Sequence, residues 1–287
     1  MVSKSFPILT VLLIIIAVWY AAAVWMNAPW AYDQAARADQ TAPTLVELPG
    51  LTLDQARPVL PSPHQVIGEL ARSTFGLPPS SKKSLVYHAW VTISGTLLGF
   101  AMGTTLGVLL AVGIVYSRSM EMSVLPWAIA SQMVPIIALA PMLAVVMHAV
   151  GATPLMTKAV ISAYLSFFPV VVGMVKGLRS PDAMQLDLLQ TYAAPGGAVF
   201  WKLRLPSSMP YFFASVKVGI AASLVGAIVA ELNQQAGLGA RLLQGSYYGQ
   251  TTQIWAALFL SAILAAVLVM LAGRIEARVL LRMGMAR

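Results

Sequence analysis

The chain contains no cysteine among its 287 residues, which excludes disulfides, thiolate metal sites and cysteine nucleophiles. Histidine is nearly as scarce, and His64, His88 and His148 lack the spacing of metal ligands. Neither a G-x-x-x-x-G-K-[ST] phosphate loop nor a G-x-S-x-G nucleophile elbow occurs. The sequence therefore disfavours a membrane enzyme and predicts no catalytic residue, metal or cofactor on this chain.

Charged residues are also scarce. Only 10% of the residues are charged while 59% are hydrophobic, whereas soluble domains have about 25% charged residues. So much apolar surface cannot be hidden in a water-soluble core, so the composition predicts an integral membrane protein. The net charge of +8 comes from residues in short loops and at the C-terminus, which fits membrane orientation better than nucleic-acid binding.

The apolar runs predict an all-α protein with six transmembrane helices, because a span needs about 20 mostly apolar residues. The N-terminal run is too long for a signal peptide and lacks a nearby cleavage site, so it is predicted to be a retained span. The six predicted spans are residues 8–26, 90–116, 123–147, 156–178, 211–232 and 252–272.

The second span carries glycines four residues apart, at positions 95, 99, 103 and 107. This spacing places them on one helical face, where they would let another helix approach closely. The alternative is a set of glycines that face lipid without a partner.

Basic residues predict the orientation, since cytoplasmic loops are enriched in Lys and Arg. The short outer loops 148–155 and 233–251 hold only Arg241, and both termini are therefore predicted to be cytoplasmic. The basic residues assigned to the cytoplasmic side are Lys4, Arg118, Arg179, Lys202, Arg204, Arg274, Arg278, Arg282 and Arg287.

Four regions follow from this topology. The predicted division is an N-terminal transmembrane helix (1–26), a periplasmic segment (27–89), a five-span core (90–275) and a cytoplasmic basic tail (276–287). The periplasmic segment is rich in proline and polar residues and is expected to be partly irregular. Within it, Ser62 and Pro63 are typical of a helix start, and a short interfacial helix with Val66, Ile67 and Leu70 on its apolar face is predicted.

The cytoplasmic stretch 180–206 is too structured for a simple turn. Ser180-Pro181 predicts a helix over 182–193, and Ala194-Pro195-Gly196-Gly197 predicts a break. A second short helix is predicted to run to Pro206, where the next span begins, so that the two short helices project into the cytoplasm at an angle to each other. Exposed apolar residues on the two helices suggest an anchor for another protein, although a hairpin lying on the lipid surface is an alternative. These residues are Met184, Leu188, Phe200 and Trp201, and Met184, Leu188 and Tyr192 are predicted to form one row at four-residue spacing.

The order span, helix, Gly turn, helix, Leu-Pro, span resembles the coupling loop of the permease subunits of binding-protein-dependent type I ABC importers. In that family the loop carries Glu-Ala-Ala and then a glycine, and the matching positions here are Asp187-Leu188-Leu189 and Ala193. The turn flexibility is therefore expected at Gly196 and Gly197 instead. The segments VPIIALAPML, VGATPLMTKAV and VGAIVAELNQQAGLGARLL resemble the nitrate/sulfonate/taurine branch.

This resemblance implies a type I permease fold that works as a homodimer in the bacterial inner membrane. It implies a periplasmic binding protein that delivers the solute, and two ABC ATPase subunits that carry ATP and Mg and hold the loop. The residues that would couple to the ATPase are Asp187, Leu188, Leu189, Ala193, Gly196, Phe200, Trp201, Lys202, Arg204 and Pro206.

The residues expected along the translocation path are Gln132, Pro135, Pro141 and Glu231. Proline-broken helices near a transport route can free backbone carbonyls for the solute. The alternatives are a plain packing kink at either proline, a bond from Gln132 to a neighbouring helix, and an ordinary interfacial acid at Glu231. Lys158 is predicted to anchor at the outer interface, and Lys217 to reach the headgroups.

The sequence leaves the solute open, as a small polar or anionic organic molecule such as a sulfonate, a nitrate-like anion or a pyrimidine or vitamin precursor. The stretch SYYGQTTQIWAAL slightly favours the last group. Two other classes stay open: an ion-coupled secondary transporter or channel, which would need ionisable residues deep in the spans and an inverted repeat, and a membrane scaffold.

Overall fold

The computed structural model describes residues 5–285, and every regular element in that range is helical. The elements are α1 Ser5–Arg37, α2 Leu48–Thr52, α3 Pro63–Phe75, α4 Leu85–Tyr116, α5 Arg118–Ser131, α6 Ile136–Ala149, α7 Pro154–Leu178, α8 Ala183–Thr191, α9 Gly196–Val199, a π-helical turn Phe200–Arg204, α10 Leu205–Glu231, α11 Leu238–Tyr247 and α12 Thr251–Arg282. Residues Lys4 and Arg287, used above to predict the orientation, lie outside this range.

Within residues 5–285, five helical stretches are long and apolar enough to cross a membrane, and α5 with α6 forms a bent pair that would make a sixth span. The predicted all-α membrane fold is confirmed. The third predicted span, 123–147, is interrupted at Pro135 as expected for a proline-broken helix, because α5 and α6 meet there at 103°, whereas Pro141 lies within α6 and does not interrupt it. Pro135 is the physical reason, since it offers no backbone N–H and disfavours helical geometry in the residue before it.

Two helices extend beyond their predicted ends. The helix α1 continues to Arg37 rather than ending at residue 26. The extension buries the side-chain amide of Asn27. The cost of burying this polar group is offset because the amide donates hydrogen bonds to the carbonyls of Thr52 and Leu60 and accepts one from the Val59 N–H. At the other end, α12 runs to Arg282, so most of the predicted basic tail from residue 276 is helix.

The chain divides into two compact units. The first contains the described part of Met1–His88 together with Arg241–Ser261. In this unit, the indole of Trp19 stacks on Phe259 at 5.7 Å and donates a hydrogen bond to the carbonyl of Pro61 at 3.0 Å. A helix exists where the short interfacial one is predicted, as α3, and of its predicted apolar face Val66 is buried, Leu70 is partly covered and Ile67 is exposed.

The second unit contains Ala89–Ala240 and the described part of Ala262–Arg287. Its core lies between α7 and α10, whose small residues interlock. The predicted close approach of another helix to the glycine row of α4 is confirmed, and the neighbour is α7. A Cβ on Gly99 would lie 2.5 Å from the carbonyl oxygen of Ala159, and one on Gly103 would lie 2.8 Å from that of Ala163. Only glycine allows this helix spacing.

Candidate functional site

The stretch between α7 and α10 begins with a helix cap that differs from the prediction. Asp182, rather than Ser180, caps α8, because its carboxylate accepts a hydrogen bond from the Met184 N–H at 3.3 Å. The Ser180 hydroxyl instead donates to the carbonyl of Gly177 at 2.7 Å. This carbonyl lies at the C-terminal end of α7 and also accepts a hydrogen bond from the backbone N–H of Ser180 at 3.1 Å, so residue 180 supplies partners just beyond the helix end.

The turn after α8 is made by an alanine and not by the glycines that follow. Ala193 has a φ of +48°, the left-handed geometry that commonly ends a helix and usually requires glycine. Gly196 and Gly197 are the first residues of α9 and have no positive φ. The expectation that the turn flexibility lies at these glycines is therefore wrong, because the reversal already occurs at position 193.

The second half of the stretch is continuous with the next span. The helix α9, the π-helical turn and α10 form one helical segment, Gly196–Glu231. Pro206 removes an amide donor near the start of α10, and Leu205 N–H bonds five residues back to the carbonyl of Phe200. The prediction of a separate second short helix that ends at Pro206 is wrong, since the wider turn accommodates the proline and the helix continues into the span.

An apolar row is exposed on this stretch, as predicted. Met184, Leu188 and Tyr192 follow one another at four-residue spacing on α8 and are between 56% and 78% exposed, and Trp201 is 67% exposed. Asp187 and Lys202 are also exposed, Ala193 and Gly196 likewise, whereas Leu189 and Pro206 are partly covered. The row is too apolar for water and includes the position matched to the second residue of Glu-Ala-Ala.

Two residues predicted to belong to this exposed surface are used within the chain instead. Phe200 packs against the core of the second unit and meets the ring of Tyr116 edge-on, at 6.1 Å between centroids. Arg204 donates from Nη1 to the carbonyl of Leu178 at 2.8 Å and lies over the Tyr116 ring. The prediction that Phe200 is an exposed anchor is therefore wrong. Both side chains fasten the base of the loop to the spans.

A buried polar centre lies at the far end of α10. Glu231 is fully buried, and its Oε1 is 3.2 Å from Lys158 Nζ. Its Oε2 accepts hydrogen bonds from the Thr92 hydroxyl at 2.8 Å and from the Gly239 N–H at 3.1 Å. Lys158 also donates to the carbonyl of Val91 at 2.9 Å. One carboxylate thus joins α4, α7, α10 and the start of α11.

This centre corrects the prediction for Lys158 and narrows the alternatives for Glu231. Lys158 is not an outer anchor, because it is buried beside an acid that neutralises it. Glu231 is not an ordinary interfacial acid, since no part of it reaches solvent. Their partnership was missed because they are 73 residues apart. The only sign of the pair in the sequence is that one Lys and one Glu each lie within an apolar run.

Lys217 is also placed differently from its prediction. Its Nζ forms an ion pair with Glu276 at 2.8 Å, so its charge is neutralised within the chain.

Three of the four predicted path residues lie in and around the broken span, whereas the fourth, Glu231, belongs to the buried polar centre. Gln132 follows α5 and donates to the hydroxyl of Ser131 at 3.2 Å, and Pro135 immediately precedes α6. Pro141 lies within α6 and lines a cavity of about 600 Å³. The polar residues of this cavity are His148, Thr157, Asn233 and Gln234.

Comparisons with known proteins agree with this architecture. The family model for the binding-protein-dependent transport system inner membrane component matches residues 103–283. A formylaminopyrimidine transport permease, ThiX, of Halalkalibacterium halodurans is 30% identical over 63% of this chain and 68% of its own length.

Two further relatives are named after other solutes. The riboflavin transport system permease RibX of Chloroflexus aurantiacus is 29% identical over 78% of this chain and 80% of its own length. A putative aliphatic sulfonates transport permease, SsuC, of Bacillus subtilis is 23% identical over 61% of this chain and 63% of its own. The chain belongs to the family of inner membrane components of binding-protein-dependent transport systems, and is a multi-pass ABC importer permease.

Proposed function

We propose that this chain forms half of a homodimeric translocation path for a small polar organic solute. A periplasmic binding protein delivers the solute, and two ATPase subunits that bind ATP and Mg drive its passage. Both termini are cytoplasmic, which places the stretch 180–206 on the ATPase side. Family membership favours this reading over an ion-coupled carrier or a scaffold.

The exposed row on α8 carries the proposal. Met184, Leu188 and Tyr192 form a ridge of large apolar side chains, with Trp201 exposed on the neighbouring turn. A helix that presents residues at four-residue spacing suits insertion into a groove of a partner protein. The charged neighbours Asp187 and Lys202 would form the polar rim of such an interface.

The attachment of the loop suits the transmission of motion. The helical segment Gly196–Glu231 joins the loop to a span without an intervening linker. The contacts of Phe200 and Arg204 hold its base, and an ion pair at 3.0 Å connects Arg179 to Glu121 on α5. A displacement of the loop by the ATPase would therefore move α10 and α5 together rather than bend a flexible connection.

The cavity beside Pro141 suggests the class of solute. Its polar groups are an imidazole, a hydroxyl and two carboxamides, with no Lys or Arg among the lining residues. Such groups donate and accept hydrogen bonds without a fixed charge, which suits an uncharged heterocycle better than a sulfonate. The names of two relatives, a formylaminopyrimidine permease and a riboflavin permease, also support a pyrimidine or vitamin precursor.

A copurification experiment tests the ATPase contact. The permease would be expressed with its ATPase and purified from detergent as wild type, Leu188→Asp and Trp201→Asp. We expect the ATPase and its activity to copurify with wild type and to be lost from both variants. Tyr247→Asp is the matched control, because Tyr247 is equally exposed but lies on α11.

Folding must be monitored separately, since a variant that unfolds would lose its partner for another reason. Wild type and variants should elute alike in size-exclusion chromatography. If folded Leu188→Asp and Trp201→Asp retain as much ATPase as wild type, the exposed row is not the contact and the proposal fails.

A further inference from the structure

A polar cavity of about 430 Å³ lies in the first unit, apart from the loop and the buried centre described above. Its walls come from the C-terminal half of α3, the connection to α4, the helix α11 and the start of α12. Volumes of this order are typical of sites for small organic ligands. Besides Ser73, the polar residues that line it are Glu69, Arg72, Lys83, Arg241, Gln250 and Gln253.

The cavity carries an excess of positive charge. It contains three cationic side chains and one carboxylate, Glu69. That carboxylate is already engaged, because Arg72 donates to its Oε2 and the Ser73 hydroxyl donates to its Oε1, each at 2.7 Å. In the part of the chain that the structure describes, the two positive charges of Lys83 and Arg241 form no ion pair.

Arg241 is the central group of this excess. Its Nε is buried and has no hydrogen-bond partner in the part of the chain that the structure describes. Burial lowers the pKa of the Arg241 guanidinium below its ordinary value, although the nearby charge of Glu69 opposes that change. A buried donor without a partner is costly. An anion in the cavity would remove this cost and neutralise the charge.

The donor set indicates which anion fits. A guanidinium matches the oxygens of phosphate in a bidentate manner, and an ammonium adds a strong point charge. The carboxamides of Gln250 and Gln253 supply further N–H donors. This combination suits a tetrahedral oxyanion of the phosphate class, with room left for an organic substituent.

The position of the cavity points to the source of that anion. Lys83 lies two residues before α4, and Gln250 immediately precedes α12, and both helices are candidate membrane spans. The helix α3 exposes the large apolar side chains of Ile67 and Phe75, the latter 87% exposed. Exposed apolar residues on an amphipathic helix are typical of a membrane interface, where the phosphates of lipid headgroups lie.

We propose that this cavity binds one phosphate-class anion at the membrane–water boundary through Arg241 and Lys83, supplied by an anionic phospholipid headgroup. A free inorganic anion offers the same chemistry, and the experiment separates the two sources. The site is independent of the solute path, so it would survive a failure of the function proposed above.

The test uses the full chain purified in detergent and followed by native mass spectrometry. Phosphatidylglycerol, phosphatidylcholine and inorganic phosphate are added separately to wild type, Arg241→Gln and Lys83→Gln. We expect one retained phosphatidylglycerol per chain in wild type, and retention weakened roughly 10-fold or more in Arg241→Gln, since hydrogen bonds to charged groups are strong. Arg57→Gln is the matched control, because Arg57 is exposed in the same unit and outside the cavity.

The possible outcomes separate a lipid from a free anion as the ligand, and one of them contradicts the site. Stabilisation of wild type but not Arg241→Gln by inorganic phosphate alone, without lipid retention, would keep the anion site and reassign its source. Equal retention of phosphatidylglycerol by wild type and both cavity variants, with no effect of phosphate, would overturn the proposal. If Arg241→Gln does not fold, Lys83→Gln still tests the site, because Lys83 is an exposed loop residue.

Discussion

Lys158 Nζ lies 3.2 Å from Glu231 Oε1, and the two side chains are 3% and 0% exposed. The pair joins α7 to α10, and the hydroxyl of Thr92 adds α4 to the same carboxylate. A buried charge is tolerated only when it is paired and hydrogen-bonded. Both oxygens of Glu231 are engaged in this way, so the pair holds α4, α7 and α10 together.

Removal of one partner from this pair should be strongly destabilising. We expect Lys158→Met or Glu231→Gln to cost about 3–5 kcal/mol, because the remaining group keeps an uncompensated charge or loses its acceptors. The double variant Lys158→Met/Glu231→Gln should cost less than the sum of the two. Thermal unfolding in detergent, followed by tryptophan fluorescence, would measure all three.

The matched control for that cycle is the pair Lys217–Glu276, which is partly exposed. Lys217→Met should cost only about 0–1 kcal/mol, because solvent screens such a pair. If Lys158→Met and Lys217→Met shift the unfolding temperature equally, burial does not set the strength of the Lys158–Glu231 pair.

Gly237 should not tolerate a side chain. Its φ is +116°, and a Cβ at this position would fall on the carboxyl group of Glu231. Gly237→Ala should therefore displace that carboxylate and lower the unfolding temperature. Gly249→Ala is the control, since Gly249 also has a positive φ, of +62°, but no neighbour within 4 Å of its Cβ. Equal losses in both variants would assign the effect to backbone strain alone.

The close approach of α4 and α7 depends on the glycine row. Gly99→Ala should destabilise by about 1–3 kcal/mol, as is usual for overpacking, because the added Cβ would lie 2.5 Å from the carbonyl oxygen of Ala159. Gly273→Ala, on α12 with nothing within 4 Å, should cause no loss. Thermal unfolding of the two variants compares them directly, and equal stability would contradict the tight packing.

Ala193 occupies a geometry that favours glycine. An L-residue in the left-handed region costs about 1–2 kcal/mol, so Ala193→Gly should stabilise the turn after α8 or leave it unchanged. Ala193→Val should destabilise it, because β-branched residues fit this region poorly. Limited proteolysis of the 180–206 stretch would report both changes. Faster cleavage of Ala193→Gly than of Ala193→Val would show that φ at this position does not control the turn.

Several features follow from local patterns in the sequence. The length of the apolar runs predicts the spans, because a bilayer requires about 20 apolar residues. The four-residue spacing of the glycines in α4 and of Met184, Leu188 and Tyr192 in α8 predicts which residues share a face. Ser62-Pro63 predicts the start of α3. These predictions are confirmed because helix periodicity and capping depend on residues a few positions apart.

Other features were decided by tertiary structure. The sequence shows one Lys and one Glu within apolar runs, but only the packing of α7 against α10 makes Lys158 and Glu231 a pair. Phe200 and Trp201 are neighbours of similar chemistry, yet the ring of Tyr116 and the core cover the first and leave the second exposed. Composition and periodicity thus determined the membrane class, the spans and the helical faces. The chain's long-range packing alone decided which charged and aromatic groups meet, because the free energy of a buried contact depends on a partner that sequence spacing does not specify.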